Sequence, residues 1–120
     1  MNRLRVAVVG LGDIGRYVAG FLRLDPGFTS ALVVDRDAGR AQRGVRRFGF
    51  GWWSTEYAHA LTNPHVDAIY LGVPHYLHYP MVMQALEAGK PVFCEKPITI
   101  EVAHAEEIVE VSERLGIPVA

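Results

Sequence analysis

The run from Leu4 to Val9 is almost unbroken in apolar residues and ends abruptly at Gly10-Leu-Gly12-Asp-Ile-Gly15. An apolar stretch of this length, with no polar alternation, reads as a strand covered on both faces, the pattern of parallel sheets packed between helices. Beyond the glycines the spacing changes: Ile14, Val18, Phe21 and Leu22 mark the inner face of a helix that should stop before Pro26 and Gly27. Strand, glycine turn and helix in that order commit the chain to alternating elements.

The cycle continues to Ala120. Ala31 to Asp35 reads as a second strand, and Ala41, Val45 and Phe48 mark a second helix closed by Gly49. Phe50 to Trp53 is a short third strand, and a brief helical piece from Thr55 to Leu61 leads to a turn at Asn63 and Pro64. Asp67 to Gly72 follows as a strand, then a helix with Val82, Ala85 and Leu86 inside and Gly89 as its stop. Val92 to Cys94 is the fifth strand. Val102, Ala105, Ile108, Ser112 and Leu115 line a last helix ending at Gly116, and Ile117 to Ala120 begins a sixth strand. The expectation is one α/β domain over residues 1–120, a doubly wound parallel sheet with right-handed crossovers. With 120 residues, half of them apolar, the chain can bury one core.

A GxGxxG pattern alone is weak, but here it follows a buried strand, opens a helix, and precedes an acid, Asp35, by twenty residues counted from Gly15. Gly10 permits the tight turn, Gly12 lets backbone approach a pyrophosphate, and Gly15 lets helix and strand pack closely. The N–H groups near Asp13 and Ile14 would face the phosphates from the positive end of the helix. Asp35 would accept hydrogen bonds from the adenosine ribose. The alternative is a structural turn with a surface acid. A carboxylate at Asp35 repels a 2′-phosphate and favours NAD, while Arg36 beside it can turn toward that phosphate and keeps NADP open.

Other functions fit less well. Twelve basic and thirteen acidic residues leave a net charge of −1, which favours neither nucleic acid nor an anionic membrane. Arg36, Arg40, Arg43 and Arg47 form a stripe at helical spacing that reads as a solvated face. His75 and His78 have a spacing that can hold metal, but a third ligand is not evident, so no metal is expected. Trp52 and Trp53 read as strand-edge packing, with a partner surface as the alternative. Cys94 is the sole cysteine, which excludes an internal disulfide, suits a small buried site and fits the cytoplasm. No apolar stretch of signal or membrane length precedes the first glycine turn.

Five pieces then combine: GLGDIG at 10–15, DRD at 35–37, PHYLH at 74–78, ALEAGKPV at 85–92 and EKP at 95–97. With them the chain resembles, along its whole length, the amino-terminal domain of the family of glucose-fructose oxidoreductase, inositol dehydrogenase and rhizopine-catabolism proteins. The resemblance implies a Rossmann fold and hydride transfer between a nicotinamide cofactor and a secondary alcohol of a sugar, inositol or related polyol. It places Lys96 beside the nicotinamide as the catalytic residue, able to hydrogen-bond the reacting oxygen and stabilise its developing charge. The alternative for Lys96 is an exposed lysine paired loosely with its neighbour. Pro74 and His78 fall on the cofactor loop, and Glu95 orients Lys96 or caps its loop. Members of the family also carry a second, α+β domain that binds substrate. That domain is absent from this sequence, so the expectation is a truncated or excised domain that binds cofactor with little or no turnover. Its partners would be the dinucleotide and either further copies of itself, as a homo-oligomer, or the missing substrate-binding domain. Two other readings remain: a non-catalytic nucleotide module, as redox sensor or half of a split assembly, and an unrelated nucleotide domain in which EKP has no role.

Overall fold

The computed structural model describes residues 3–120; Met1 and Asn2, on which the reading of the amino terminus partly rests, lie outside the described residues. Strands and helices alternate as β1 (Leu4–Val9), α1 (Asp13–Leu24), β2 (Phe28–Val34), α2 (Ala38–Phe48), β3 (Trp52–Ser54), α3 (Tyr57–Thr62), β4 (Ala68–Leu71), α4 (His78–Glu87), β5 (Val92–Cys94) and α5 (Val102–Leu115). The five strands form one parallel sheet in the order β3-β2-β1-β4-β5. The order reverses at β1, so the crossovers on its two sides diverge and leave a crevice at the carboxyl ends of β1 and β4.

The apolar run of β1 follows from its central place. Side chains alternate across a strand, so Ala7 and Val9 enter one core with Ile69, Leu71, Leu86 and Ile108, while Val6 and Val8 enter the other with Leu22 and Val33. Both faces are covered, and neither tolerates a polar residue.

Expected and observed elements differ in several places. In α1 the buried residues are Gly15, Ala19 and Leu22, whereas Ile14 and Phe21 are 54% and 58% exposed. The small residues let the helix sit close to the sheet and turn its larger side chains outward. In α5 Ile108 and Val111 are buried, and Val102 and Leu115, expected inside, are exposed. The second strand begins earlier, at Phe28, and the third runs one residue later, to Ser54. The sixth strand is a single parallel bridge between Val119 and Val92, supported by hydrogen bonds from Val92 N to Pro118 O and from Cys94 N to Ala120 O.

Trp52 and Trp53 lie on the edge strand β3, about half exposed. Over β4 and β5 the face that carries α1 has no further helix, because α4 and α5 pack with the other core. The result is an apolar groove of about 400 Å3 walled by Val18, Phe21, Tyr70, Phe93 and Pro118. Among the described residues no helix is long and apolar enough to cross a membrane.

One ion pair joins the starts of β1 and β4. Arg5 Nε and its backbone N each donate to Asp67 Oδ2 at 2.9 Å, and Arg5 Nη2 donates to Oδ1 at 2.9 Å. The guanidinium, then the backbone N–H, holds the Asp67 carboxyl down at about 2. A carboxyl depressed in the folded state stabilises it above the ordinary range near about 4 and stops doing so as pH falls toward about 2. Asp67→Asn should therefore be less stable than wild type at pH 7, and the difference should shrink in urea melts as pH is lowered toward about 2.

Candidate nucleotide-binding site

A cleft of about 870 Å3 opens at the carboxyl ends of the strands, walled by Gly10, Gly12, Asp35, Pro74, His75 and Lys96 among others. The three glycines stand in different surroundings. Gly10 has φ +96°, and a Cβ there would sit 2.4 Å from Gly72 O. A Cβ on Gly15 would fall 1.9 Å from Gly10 O, so this glycine sets the contact between α1 and the turn. Gly12 has an ordinary φ of −70°, and a Cβ on it would meet nothing within 4 Å. The fold itself does not need glycine at this position, which borders the cleft. As N-cap of α1, Gly12 brings no side-chain acceptor, so the first-turn N–H groups at Asp13, Ile14 and Gly15 keep their donors at the positive end of the helix.

Asp35 is 6% exposed and ties the turn to the next corner. Its Oδ2 accepts from Leu11 N at 2.9 Å, and its Oδ1 accepts from Asp37 N at 2.9 Å and Arg40 Nε at 3.2 Å. A carboxylate offers about four lone-pair sites, so one acceptor remains for a ligand hydroxyl. Arg36 lies on the same wall. Arg40, read from the sequence as part of a solvated stripe, is half exposed and also lines the cleft. From the first turn of α2 its guanidinium reaches back to Asp35, and the five-residue offset between the two falls outside any single-element pattern. Asp37, the N-cap of α2, accepts from Arg40 N at 3.1 Å, and this bond holds its carboxyl below the usual range.

Across the cleft, Glu95 and Lys96 follow β5. The Glu95 carboxylate is engaged by the Tyr70 hydroxyl, which donates to Oε1. Burial, then this carboxylate, pushes the Tyr70 phenol above its ordinary range. Lys96 lines the cleft together with Pro74 and His75, which follow the adjacent strand β4. Cys94 is buried beside them, its thiol pushed up to about 12 by burial and by Glu95, which leaves it inert as a nucleophile.

His78 is not on the cleft wall. It is fully buried, with Nδ1 2.7 Å from Pro97 O and Nε2 2.9 Å from Val73 O, and it meets the site through those carbonyls and the ring of His75. The helix start expected there is present, since α4 begins at His78. Among the described residues no group of three metal-binding side chains converges. Tyr57, which donates to Met81 O at 2.7 Å, also lines the cleft and carried no sequence signal.

Comparison with known proteins agrees with this geometry. The Gfo/Idh/MocA model, described as an oxidoreductase family with an NAD-binding Rossmann fold, matches residues 4–120. The scyllo-inositol 2-dehydrogenase (NAD(+)) of Bacillus subtilis is 33% identical over 117 residues, 97% of this chain and 34% of the relative. The structure of KijD10, a 3-ketoreductase from Actinomadura kijaniata in complex with NADP and TDP-benzene, superposes with a TM-score of 0.91 at 34% identity, covering 97% of this chain and 36% of that one. GenD2 from gentamicin A biosynthesis, in complex with NAD, gives a TM-score of 0.94 at 32% identity over 100% of this chain and 34% of its own. This chain thus spans about a third of the length of the proteins it matches. The match from residue 4 to residue 120, on a sheet whose order reverses beside the glycine turn, shows that the chain belongs to the Gfo/Idh/MocA oxidoreductase family as an NAD-binding Rossmann domain.

Proposed function

We propose that the cleft binds a nicotinamide dinucleotide, NAD in preference to NADP, for hydride transfer to or from a secondary alcohol of a sugar, inositol or related polyol. Gly12 carries the reading: neither backbone strain nor packing demands glycine there, and the space beside it lies at a helix N-terminus with free donors. The pyrophosphate would occupy that space against Asp13 and Ile14, and the adenosine ribose would take the remaining acceptor of Asp35. The nearly buried Asp35 carboxylate disfavours a 2′-phosphate, with Arg36 and Arg40 as the opposing influence.

When bound, the nicotinamide supplies the hydride donor or acceptor. Lys96 acts on the other reactant, its ammonium donating to the reacting oxygen and stabilising negative charge there. Glu95 is held toward Tyr70 and acts on the loop rather than on the reactants. The groove beside Phe21 and Phe93 is the surface for a substrate-binding domain or a second copy of the chain in a homo-oligomer. Tested by itself, the 120-residue chain would bind cofactor with little or no turnover. The reading keeps it in the cytoplasm, where Cys94 stays a thiol. A redox sensor without chemistry would explain the cleft but would leave Lys96 without a task.

The test pairs binding with turnover on the purified chain. NADH should saturate the site by fluorescence titration, and scyllo- or myo-inositol with NAD should give no absorbance rise at 340 nm, the wavelength of NADH. Polyol oxidation by this chain alone would overturn the low-turnover reading; absence of NADH binding would overturn the cofactor reading.

A further inference from the structure

We propose that His78 is a positioning residue that sets Lys96 against the nicotinamide by tying the loop after β5 to the loop after β4. The inference rests on the reading that the cleft takes a nicotinamide dinucleotide. Lys96 and Val73 both line the cleft, on the loops that follow the adjacent strands β5 and β4, and each is next to or part of a carbonyl that the histidine contacts. The imidazole fills the space between, fully buried, with its ring edge toward His75 at 5.4 Å between centroids. Pro97 O, 2.7 Å from Nδ1, belongs to the peptide unit that follows Lys96-Pro97, so the contact fixes the backbone from which the lysine projects. Val73 O, 2.9 Å from Nε2, belongs to the residue before Pro74.

Both partners only accept, so the histidine is the donor of whichever bond its N–H occupies. The contact to Pro97 is the shorter, and assigning the N–H to Nδ1 gives that carbonyl its donor. The geometry moves His78 from the cofactor surface to the layer behind it. Supports of this kind hold a reacting group in place without touching the ligand.

Asparagine and glutamine separate the two contacts, of which a neutral ring donates one. Asparagine places an amide N–H near the position of Nδ1 and can still serve Pro97 O, whereas glutamine reaches the position of Nε2 and serves Val73 O instead. Phenylalanine fills the space and serves neither. The test titrates each variant with NADH and with ADP-ribose, which lacks the nicotinamide. His78→Phe and His78→Gln should weaken NADH binding by about tenfold, the scale of one buried carbonyl left without a donor, and leave ADP-ribose within about twofold. His78→Asn should bind both as wild type does. Lys96→Ala removes the side chain that stands beside the nicotinamide and should lower NADH affinity by a similar factor, and adding His78→Phe to it should change nothing further, since the histidine acts on NADH only through that lysine.

Parallel loss of NADH and ADP-ribose binding in the glutamine variant would show a purely structural histidine and overturn the proposal. So would additive effects of His78→Phe and Lys96→Ala, or unchanged NADH binding in a folded His78→Phe. If the phenylalanine variant does not fold, equal NADH affinities for the asparagine and glutamine variants would also overturn it. Wild-type protein that binds neither ligand would instead remove the cofactor reading on which the proposal rests.

Discussion

Gly15→Ala is expected to lose NAD binding by more than about a hundredfold and to destabilise the chain by about 1–3 kcal/mol, the usual scale of overpacking. The added Cβ would lie 1.9 Å from Gly10 O and 2.9 Å from Gly10 C, and both are backbone atoms that cannot rotate away. Gly10 cannot yield either. Its φ is +96°, its N donates to Val34 O at 2.7 Å, and its own missing Cβ faces Gly72 O. Relief must come from α1 lifting off the sheet, which carries the first-turn N–H groups of Asp13 and Ile14 out of place. Gly12→Ala is the matched control: with φ −70° and nothing within 4 Å, it should melt as wild type does. Its methyl group would nevertheless occupy the cleft and weaken NAD by about tenfold or more. Thermal melts with NAD titration separate the two effects. A Gly12→Ala variant that binds NAD normally would show that no phosphate comes near that backbone.

Asp35→Ala is expected to act on both stability and cofactor choice. The variant removes the acceptor for Asp37 N and for the buried Leu11 N, and a buried donor left without a partner costs about 1–3 kcal/mol. NAD affinity should fall by about ten- to a hundredfold with loss of the ribose contact. NADP should lose less, because the repelling charge is gone and Arg40, freed from its 3.2 Å bond to Asp35, is available to a 2′-phosphate. Arg40→Ala should show the opposite bias, weakening NADP while leaving NAD near wild type. Parallel titrations with both cofactors decide it, and equal losses of NAD and NADP in Asp35→Ala would refute this assignment of the acid.

The glycine turn and the acid after β2 were legible because their chemistry is local: a buried strand, a turn and a helix start occupy adjacent residues, and Asp35 stands at the end of the neighbouring strand. The strands of the sheet centre were legible for a related reason. Burial on both faces removes alternation from Leu4–Val9, and few other structures do so in six residues. The inner face of α1 was legible in part: Leu22 is buried and Val18 packs on the core as expected, but Ile14 and Phe21 attract the assignment by their size while Gly15 and Ala19 make the close contact. Ile14 turns to the cleft and Phe21 to the groove, where apolar character serves surfaces other than the core. Arg40, Tyr57 and the true place of His78 depend on partners from other elements, Asp35, Met81 and Pro97, and no periodicity within one element reports such contacts. Lys96 was reached only through its resemblance to a known motif, since a lysine at a strand end has no spacing signal of its own.

Calorimetric titration of the purified chain with NAD and NADP in parallel tests the central claim most directly. Saturable binding at one site per chain, tighter for NAD than for NADP, is the predicted result. Absence of heat with either cofactor, from protein that melts cooperatively, would contradict it and leave the glycine turn as a feature of the fold alone.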